Sequence, residues 1–558
     1  MSDAAAVDNV LFVVLDTVRA DHLTPYGYDR ETTPTLEEFA EESVVFEEAV
    51  APAPWTLPVH ASLFTGLYPH QHGADQETPY LDGSRTLAET LSSAGYDTAC
   101  YSSNAWITPY TRLTAGFDDQ DNFFEAMPGD LLSGPLARAW KRLNDDDRLR
   151  DLANRLVELG NTVHEYLASG GGADSKTPHA IDRTMSFVEA AEDGPGGDDA
   201  GWFAFVNLMD AHLPYHPPEE YAEQFAPGVD STAVCQNSKE FNAGVREIDD
   251  DEWEAIRGLY DAEIAHMDAE LGRLFDWLRE TGRWEDTAVV VCSDHGELHG
   301  EHDLYGHEFA LYDPLINVPL LVKHPGLGTG RRDDLVELLD LYHTVLDALD
   351  VEGVATGKNG AGGGAEVSTA PEAEGDTAVS LDPTRSLLSD SYRSFAGVDR
   401  PDPGQRAVGA RRETGDGAGY AFVEYAQPVV ELQQLESKAN RGGVTLETDS
   451  RFYARMRAAR STDAKYVRAD RIPDEAYRID RDPGERRNLA DPDPWDVADS
   501  DPEDDLIAGA EAALAAFESA AGGRWTVDGE EPPPAGESGV EEMDETAQER
   551  LRDLGYLE

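Results

Sequence analysis

The chain has 558 residues, with 111 acidic against 44 basic side chains and a formal net charge of −67. A hydrophobic content of 40% supplies an ordinary core, which excludes a disordered acidic chain. The negative field disfavours a nucleic-acid partner, and only 7 of the basic residues are Lys, a profile that reads as halophilic, with carboxylates keeping the surface hydrated in concentrated salt.

Val10–Leu15 is a continuous apolar run that stops at Asp16, as in a central parallel strand with a functional residue at its C-terminal end. Thr33, as N-cap, and Pro34 predict a helix start. Leu87–Ala94 reads as a helix closed by Gly95, and Asp97–Tyr101 as a short strand. Phe203–Leu208 is another strand, ending near Asp210. From Ile256 to Leu278 apolar residues recur at spacings of three and four, the pattern of a long amphipathic helix. It leads into the strand Ala288–Cys292, which stops at Ser293-Asp294-His295-Gly296, and Val318–Val322 is one more strand. Strands alternating with helices predict an α/β fold with a large, mainly parallel sheet over residues 1–350.

Residues 128–175 read as a helical, charge-rich insertion, and 351–385 as a flexible linker rich in Gly and Ala. A smaller α+β subdomain is expected over 386–527. Its strands are Tyr420–Tyr425, Phe452–Arg457, Lys465–Val467 and Tyr477–Ile479, with a helix at Leu506–Ala520. Residues 528–558 read as an acidic tail with a terminal helix. Cys100, Cys235 and Cys292 show no metal spacing and are expected to be reduced. The N-terminus enters a strand without a signal-peptide pattern, and no run approaches the ~18 apolar residues of a membrane span. The expectation is a cytoplasmic protein without a membrane span. Its oligomeric state is not readable.

Asp16, Thr56, Asp294 and His295 each lie where a strand stops or a helix begins. Singly, each has a plain structural reading: a turn residue, an N-cap, a strand-to-loop junction. Together they predict one divalent-metal site of three oxygens and a nitrogen, open to Ca, Mn, Mg or Zn. A metal beside Thr56 would make its hydroxyl a nucleophile, and the helix N-terminus would favour an anion. His70 and His72 are expected to be structural. His299 and His302 are expected in a solvated polar loop, with a second metal, shared with Asp210, His212 or His216, as the alternative.

The stretch Trp55-Thr56-Leu57-Pro58-Val59-His60-Ala61-Ser62-Leu63-Phe64-Thr65-Gly66 resembles the active-site signature of the sulfatase family, within the wider alkaline-phosphatase superfamily. So do Asn9–Asp21, Met209-Asp210-Ala211-His212-Leu213-Pro214-Tyr215, Ser293–Glu297 with Gly306-His307-Glu308, and Asp482–Leu489. The resemblance implies the family's fold, a calcium-like metal held by Asp16, Asp294 and His295, and ester hydrolysis. It makes Thr56, His60 and His212 the catalytic candidates and His307 and Asn104 the substrate-binding ones. It also implies a small-molecule or carbohydrate sulfate or phosphate ester as substrate. The sequence departs from the family at Thr56, where the formylglycine-forming Cys or Ser stands. It departs again at His60 in place of Arg, at His307 in place of Lys, at Asn104 or a neighbour in place of a second Lys, and at Thr17 in place of a second Asp. Thr cannot become formylglycine, so a phosphate or phosphonate ester hydrolase, or a phosphotransferase, stands beside the sulfatase reading. A reading of another class is a pseudoenzyme that only binds metal.

Overall fold

The structure is a computed structural model that describes residues 7–122, 175–192, 201–351, 379–389, 419–426, 428–490, 505–522 and 548. The expected insertion at 128–175, save Ser175, most of the linker and nearly all of the acidic tail lie outside the described residues.

The large sheet has eight strands in the order β10-β2-β9-β6-β1-β5-β3-β4. They are β1 (Asn9–Leu15), β2 (Val44–Val50), β3 (Asp97–Ser102), β4 (Asp119–Asn122), β5 (Trp202–Leu208), β6 (Thr287–Cys292), β9 (Asn317–Lys323) and β10 (Gly330–Glu337). β9 alone runs antiparallel to both its neighbours. Between β6 and β9 sits a small antiparallel hairpin of two-residue strands, β7 (Leu298–His299) and β8 (Tyr305–Gly306). The continuous apolar run of β1 serves both faces of the sheet, because side chains alternate along a strand. Val10, Phe12 and Val14 enter one core, and Leu11, Val13 and Leu15 enter the other. The long helix, Asp250–Glu280, presses Ile256, Leu259, Met267, Leu271, Leu274 and Phe275 into that second core.

A second sheet, β11 (Ala421–Tyr425), β12 (Met456–Arg460), β13 (Lys465–Ala469) and β14 (Glu475–Tyr477), is antiparallel throughout. The helix Asp505–Ala520 covers one face through Ala510, Ala513 and Leu514. Val423, Tyr425, Met456 and Ala458 share a core with Leu311, Leu315 and Ile316 of the large unit.

Several expectations shift. The residues expected as a strand at Phe452–Arg457 form a short turn of helix at Arg451–Tyr453, and the strand starts at Met456. The last strand sits at Glu475–Tyr477, two residues earlier than expected. Thr33 does precede the helix Pro34–Glu42, but its hydroxyl makes no cap bond there. The buried carboxylate of Asp268, on the long helix, accepts from Thr35 N and Leu36 N instead, at 2.8 and 2.9 Å. Sequence reading also missed β2, β4, β10 and the helix Val429–Gly442. β2 carries two adjacent Glu and β10 begins Gly-Arg-Arg-Asp-Asp, so neither shows an apolar run.

Candidate active site

The site forms where neighbouring parallel strands end together. β1 lies between β5 and β6, with Val14 paired to Asn207 on one side and to Cys292 on the other. Asp16 and Asp294 therefore leave the sheet side by side. Such carboxyl ends are where open α/β sheets place ligands. Asp16 N donates to Leu208 O at 2.8 Å, which fixes the exit from β1. Thr17 follows with φ 60°, a conformation unfavourable for a β-branched residue by ~1–3 kcal/mol. Its amide donates to Asp294 Oδ1 at 3.3 Å, and its hydroxyl to Ala211 O at 2.6 Å. The strained turn thus ties Asp294 and the segment before His212 to the end of β1.

Thr56 opens the helix Thr56–Thr65, every residue of which is buried. Gly66 ends it with φ 68°, and a Cβ there would lie 2.8 Å from the Tyr342 ring, so glycine is required both for the turn and for the close approach. Thr56 Oγ1 lies 3.4 Å from His295 Nε2 and accepts from Asn104 Nδ2 at 3.3 Å. The same Asn104 amide donates to Asp16 Oδ2 at 2.7 Å, while its Oδ1 accepts from Trp106 N at 2.8 Å. That pairing fixes which end of the amide faces the site. Asn104 was expected at the substrate; both its amide hydrogens are instead committed to Thr56 and Asp16. Asn207 Nδ2 adds a bond to Asp16 Oδ2 at 3.2 Å, and Ser102 Oγ donates to Asn207 Oδ1 at 2.9 Å.

Asp16, Asp294 and His295 bring one ligand atom each to within 4.8 Å of one another, all fully buried. Asp16 Oδ1 and Asp294 Oδ2 have no hydrogen-bond partner. His295 Nδ1 lies 3.0 Å from Gly296 O, so it carries the ring hydrogen and leaves Nε2 as a free lone pair. Burial, and then the facing Asp16 carboxylate, push the Asp294 carboxyl well above the usual range. Burial pushes His295 well below the usual imidazole range. Two orphaned carboxylate oxygens, a bare imidazole nitrogen and a hydroxyl fit a divalent cation in donor type and in the charge they lack.

The other predicted residues sit around this core. His60 has its Nδ1 2.9 Å from Thr56 O and its ring against Phe205 and Phe64. Burial lowers it to about 4, so it does not replace the charge of an Arg. The His307 ring lies 4.5 Å from the His295 ring, tilted to it, and meets the His212 ring edge-on at 5.3 Å, centroid to centroid. Burial lowers His307, but Glu308 and Glu297 outweigh it and bring it up to about 9. Lys239 closes the row by pairing with Glu308. His212 Nδ1 lies 2.7 Å from Leu213 O, leaving Nε2 for another contact.

His299 is buried on β7, not solvated as expected, with Nε2 at 3.0 Å from the Tyr215 hydroxyl. His302 stacks on Tyr312 at 3.6 Å. His70 and His72 are structural: His70 Nδ1 meets Glu424 at 2.6 Å, and His72 Nε2 meets Ser62 Oγ at 3.1 Å. A second group of metal-capable side chains, Asp210, Glu263 and His266, is closed on itself. Asp210 pairs with Ser175, Thr177 and His266, and Glu263 accepts from His216 N.

Sequence reading missed Thr17's anchoring role, Ser102, Asn207, Glu297 and Lys239. Asn207 carried a signal, as the one polar side chain in the run Phe203–Leu208. Lys239 carried none, because its helix is a five-residue turn, Ser238–Asn242.

A family model described as Sulfatase matches residues 8–351. A multifunctional alkaline phosphatase superfamily protein, PehA, of Trinickia caryophylli is 28% identical over 388 residues, covering 62% of this chain and 74% of that one. An arylsulfatase of Clostridium perfringens is 23% identical, covering 61% and 74%. Among solved structures, the phosphonate monoester hydrolase of Agrobacterium radiobacter superposes with a TM-score of 0.55 at 20% identity, over 92% of this chain and 96% of that one. The phosphonate monoester hydrolase of Silicibacter pomeroyi gives 0.57 at 18% identity, over 92% and 95%. Among the described residues no helix is long and apolar enough to cross a membrane. With strand ends, signature helix and carboxylates arranged as described, and the match running over most of the α/β unit, the chain belongs to the Sulfatase family and is an ester hydrolase of that family.

Proposed function

We propose that the protein is a metal-dependent hydrolase of monoanionic phosphoesters, either phosphate diesters or phosphonate monoesters, with Thr56 as nucleophile. One observation carries the reading. Thr56 Oγ1 is held between the Asn104 amide and His295 Nε2, beside two carboxylate oxygens that have no partner. Asp16, Asp294, His295 and Thr56 would hold the cation, and the imidazole in that set suits Mn²⁺ or Zn²⁺ better than Ca²⁺, which prefers oxygen ligands. The bound cation supplies positive charge that lowers the pKa of a neighbouring hydroxyl and offsets charge developing on phosphoryl oxygens.

The chain's own residues do the rest. Asn104 donates a hydrogen bond to Oγ1 and steadies the alkoxide without adding a charge. The Thr56 hydroxyl gives its proton to solvent, Oγ1 attacks phosphorus, the bond from phosphorus to the leaving oxygen breaks, and that oxygen takes a proton from the imidazole edge formed by His212 and His307. Water then attacks the phosphothreonine ester and gives one proton to that edge, the bond from phosphorus to Oγ1 breaks, and Oγ1 takes a proton back from solvent to restore the Thr56 hydroxyl.

Charge favours a monoanion. A divalent cation balances Asp16 and Asp294, while Lys239 and His307 are matched by Glu308 and Glu297. Little positive charge remains for the dianion of a phosphate monoester. A sulfate ester is also a monoanion, but a threonine sulfate lacks the geminal hydroxyl through which a formylglycine hydrate expels sulfate.

The test is a Mn²⁺-loaded enzyme offered aryl phosphate diesters, aryl phosphonate monoesters, phosphate monoesters and aryl sulfates. Turnover should rank diester and phosphonate first, and rapid quenching should leave the phosphoryl label on the peptide containing Thr56. Cleavage of sulfates alone would contradict the proposal.

A further inference from the structure

We infer that His60 is a positioning residue of this site: its Nδ1–H braces the first turn of the helix that carries Thr56, beside the inward-facing carboxylate of Asp294. The inference rests on the proposed function for what the site does, and on hydrogen-bond geometry for what His60 does. Nδ1 lies 2.9 Å from the Thr56 carbonyl oxygen. A carbonyl oxygen only accepts, so Nδ1 must carry the ring hydrogen. The same N–H lies 3.6 Å from Asp294 Oδ2, one of the two orphaned oxygens. That is too long for a hydrogen bond but close enough for a favourable electrostatic contact. Nε2 is left with a lone pair, and it is buried without a partner. Phe205 and Phe64 meet the ring edge-on, with centroids at 5.7 and 6.2 Å, and hold its plane.

Packing alone does not account for an imidazole here. The residue is 0% exposed, and an aliphatic or phenyl side chain would fill the space without stranding a buried nitrogen. What the imidazole adds is the Nδ1 bond. That bond matters because Thr56 is the first residue of its helix and Trp55 provides no side-chain cap. The turn that aims the hydroxyl is therefore braced from inside, by the side chain one turn further on. A nucleophile needs its aim held to a fraction of an ångström, and supporting contacts of this kind typically change metal affinity or activity ~10–100-fold when removed.

The two ring nitrogens can be told apart. The amide of His60→Asn places a donor where Nδ1 is, and that of His60→Gln places one where Nε2 is. Mn²⁺ affinity of the full chain is measured by titration calorimetry, kcat and KM on an ester that the wild type cleaves, and melting temperature as a check on folding. His60→Asn should keep Mn²⁺ affinity within about threefold of wild type and retain most of kcat. His60→Gln and His60→Leu should lose roughly tenfold or more in affinity and ~10²-fold in kcat, with KM little changed. Wild-type behaviour of His60→Gln and His60→Leu, or a His60→Gln that outperforms His60→Asn, overturns the inference. If His60→Leu does not fold, the order of Asn and Gln still decides. A wild-type protein that binds no Mn²⁺ and cleaves no phosphoester brings down the proposed function, and this inference with it. A metal-binding wild type with the wrong order of variants brings down only the role of His60.

Discussion

Two buried carboxylate clusters in this molecule differ in one respect. At the junction between the large unit and the small antiparallel sheet, Asp313, Glu48 and Glu485 are met by Arg460 and Lys465. Arg460 reaches Asp313 at 2.8 Å and Glu48 at 2.7 Å; Lys465 reaches Asp313 at 3.0 Å and also pairs with Glu485. At the ends of β1 and β6, Asp16 and Asp294 are fully buried, and among the described residues no Lys or Arg pairs with either. Their partners are neutral donors: Asn104, Asn207 and the amides of Thr17 and His295. The first cluster carries its cations in the sequence and holds two units together. The second leaves its charge open and two oxygens unpartnered, which is what a site for an external cation requires. Burial of acid alone does not mark function; two facing buried carboxylates that have no countercharge from the chain and an unpartnered oxygen each are what set this cluster apart.

The comparison breaks first at Thr56. Thr56→Ala should reduce phosphoester turnover ~10⁴-fold, while Thr56→Ser keeps the hydroxyl and should stay within about tenfold to hundredfold of wild type. Full turnover by Thr56→Ala would show that water attacks directly. The next largest effect belongs to the junction. Arg460 is 1% exposed, so Arg460→Met leaves Asp313 to Lys465 alone and Glu48 without a cation and should cost up to ~3 kcal/mol in denaturant unfolding, with Mn²⁺ affinity unchanged. Asp294→Asn should do the opposite. It removes one of two facing carboxylates, so the metal-free protein should melt a few degrees higher while metal binding is lost. A lower melting temperature for Asp294→Asn would mean that its two backbone hydrogen bonds outweigh the repulsion.

The smallest effect is in pH. His307 is raised to about 9 in the fold, from an ordinary imidazole value of ~6.5. A raised basic group contributes stability that is complete below the unfolded value and is lost as pH rises through the folded one. The melting temperature in EDTA should therefore decline between about pH 6.5 and 9, and His307→Gln should flatten that part of the curve. An unchanged slope would place the titration elsewhere.

Much of this was legible in the sequence, for physical reasons. β1, β5, β6 and β9 are buried on both faces and so read as unbroken apolar runs, and the long helix repeats its apolar residues over many turns. Asp16, Asp294 and His295 stood out because those runs end at them. β2 and β10 were not legible: β10 is an edge strand with β2 beside it, and their Glu and Arg side chains break the pattern. The junction cluster was invisible because Glu48, Asp313 and Arg460 are far apart in the chain. The support around Thr56 was hidden for the same reason, since Asn104, Asn207 and Thr17 meet only when three strands end at one level. His60 was readable as a departure from its family, but which of its nitrogens carries the hydrogen depends on a carbonyl one turn away.

The most direct measurement is metal content and affinity of the purified chain, set against variants of the two clusters. The wild type and Arg460→Met should each bind one divalent cation per chain, with Asp16→Asn and Asp294→Asn binding none and turnover abolished by chelation and restored by Mn²⁺. A wild-type protein that carries no divalent cation, with turnover indifferent to chelation, would contradict the reading of Asp16 and Asp294 as a cation site.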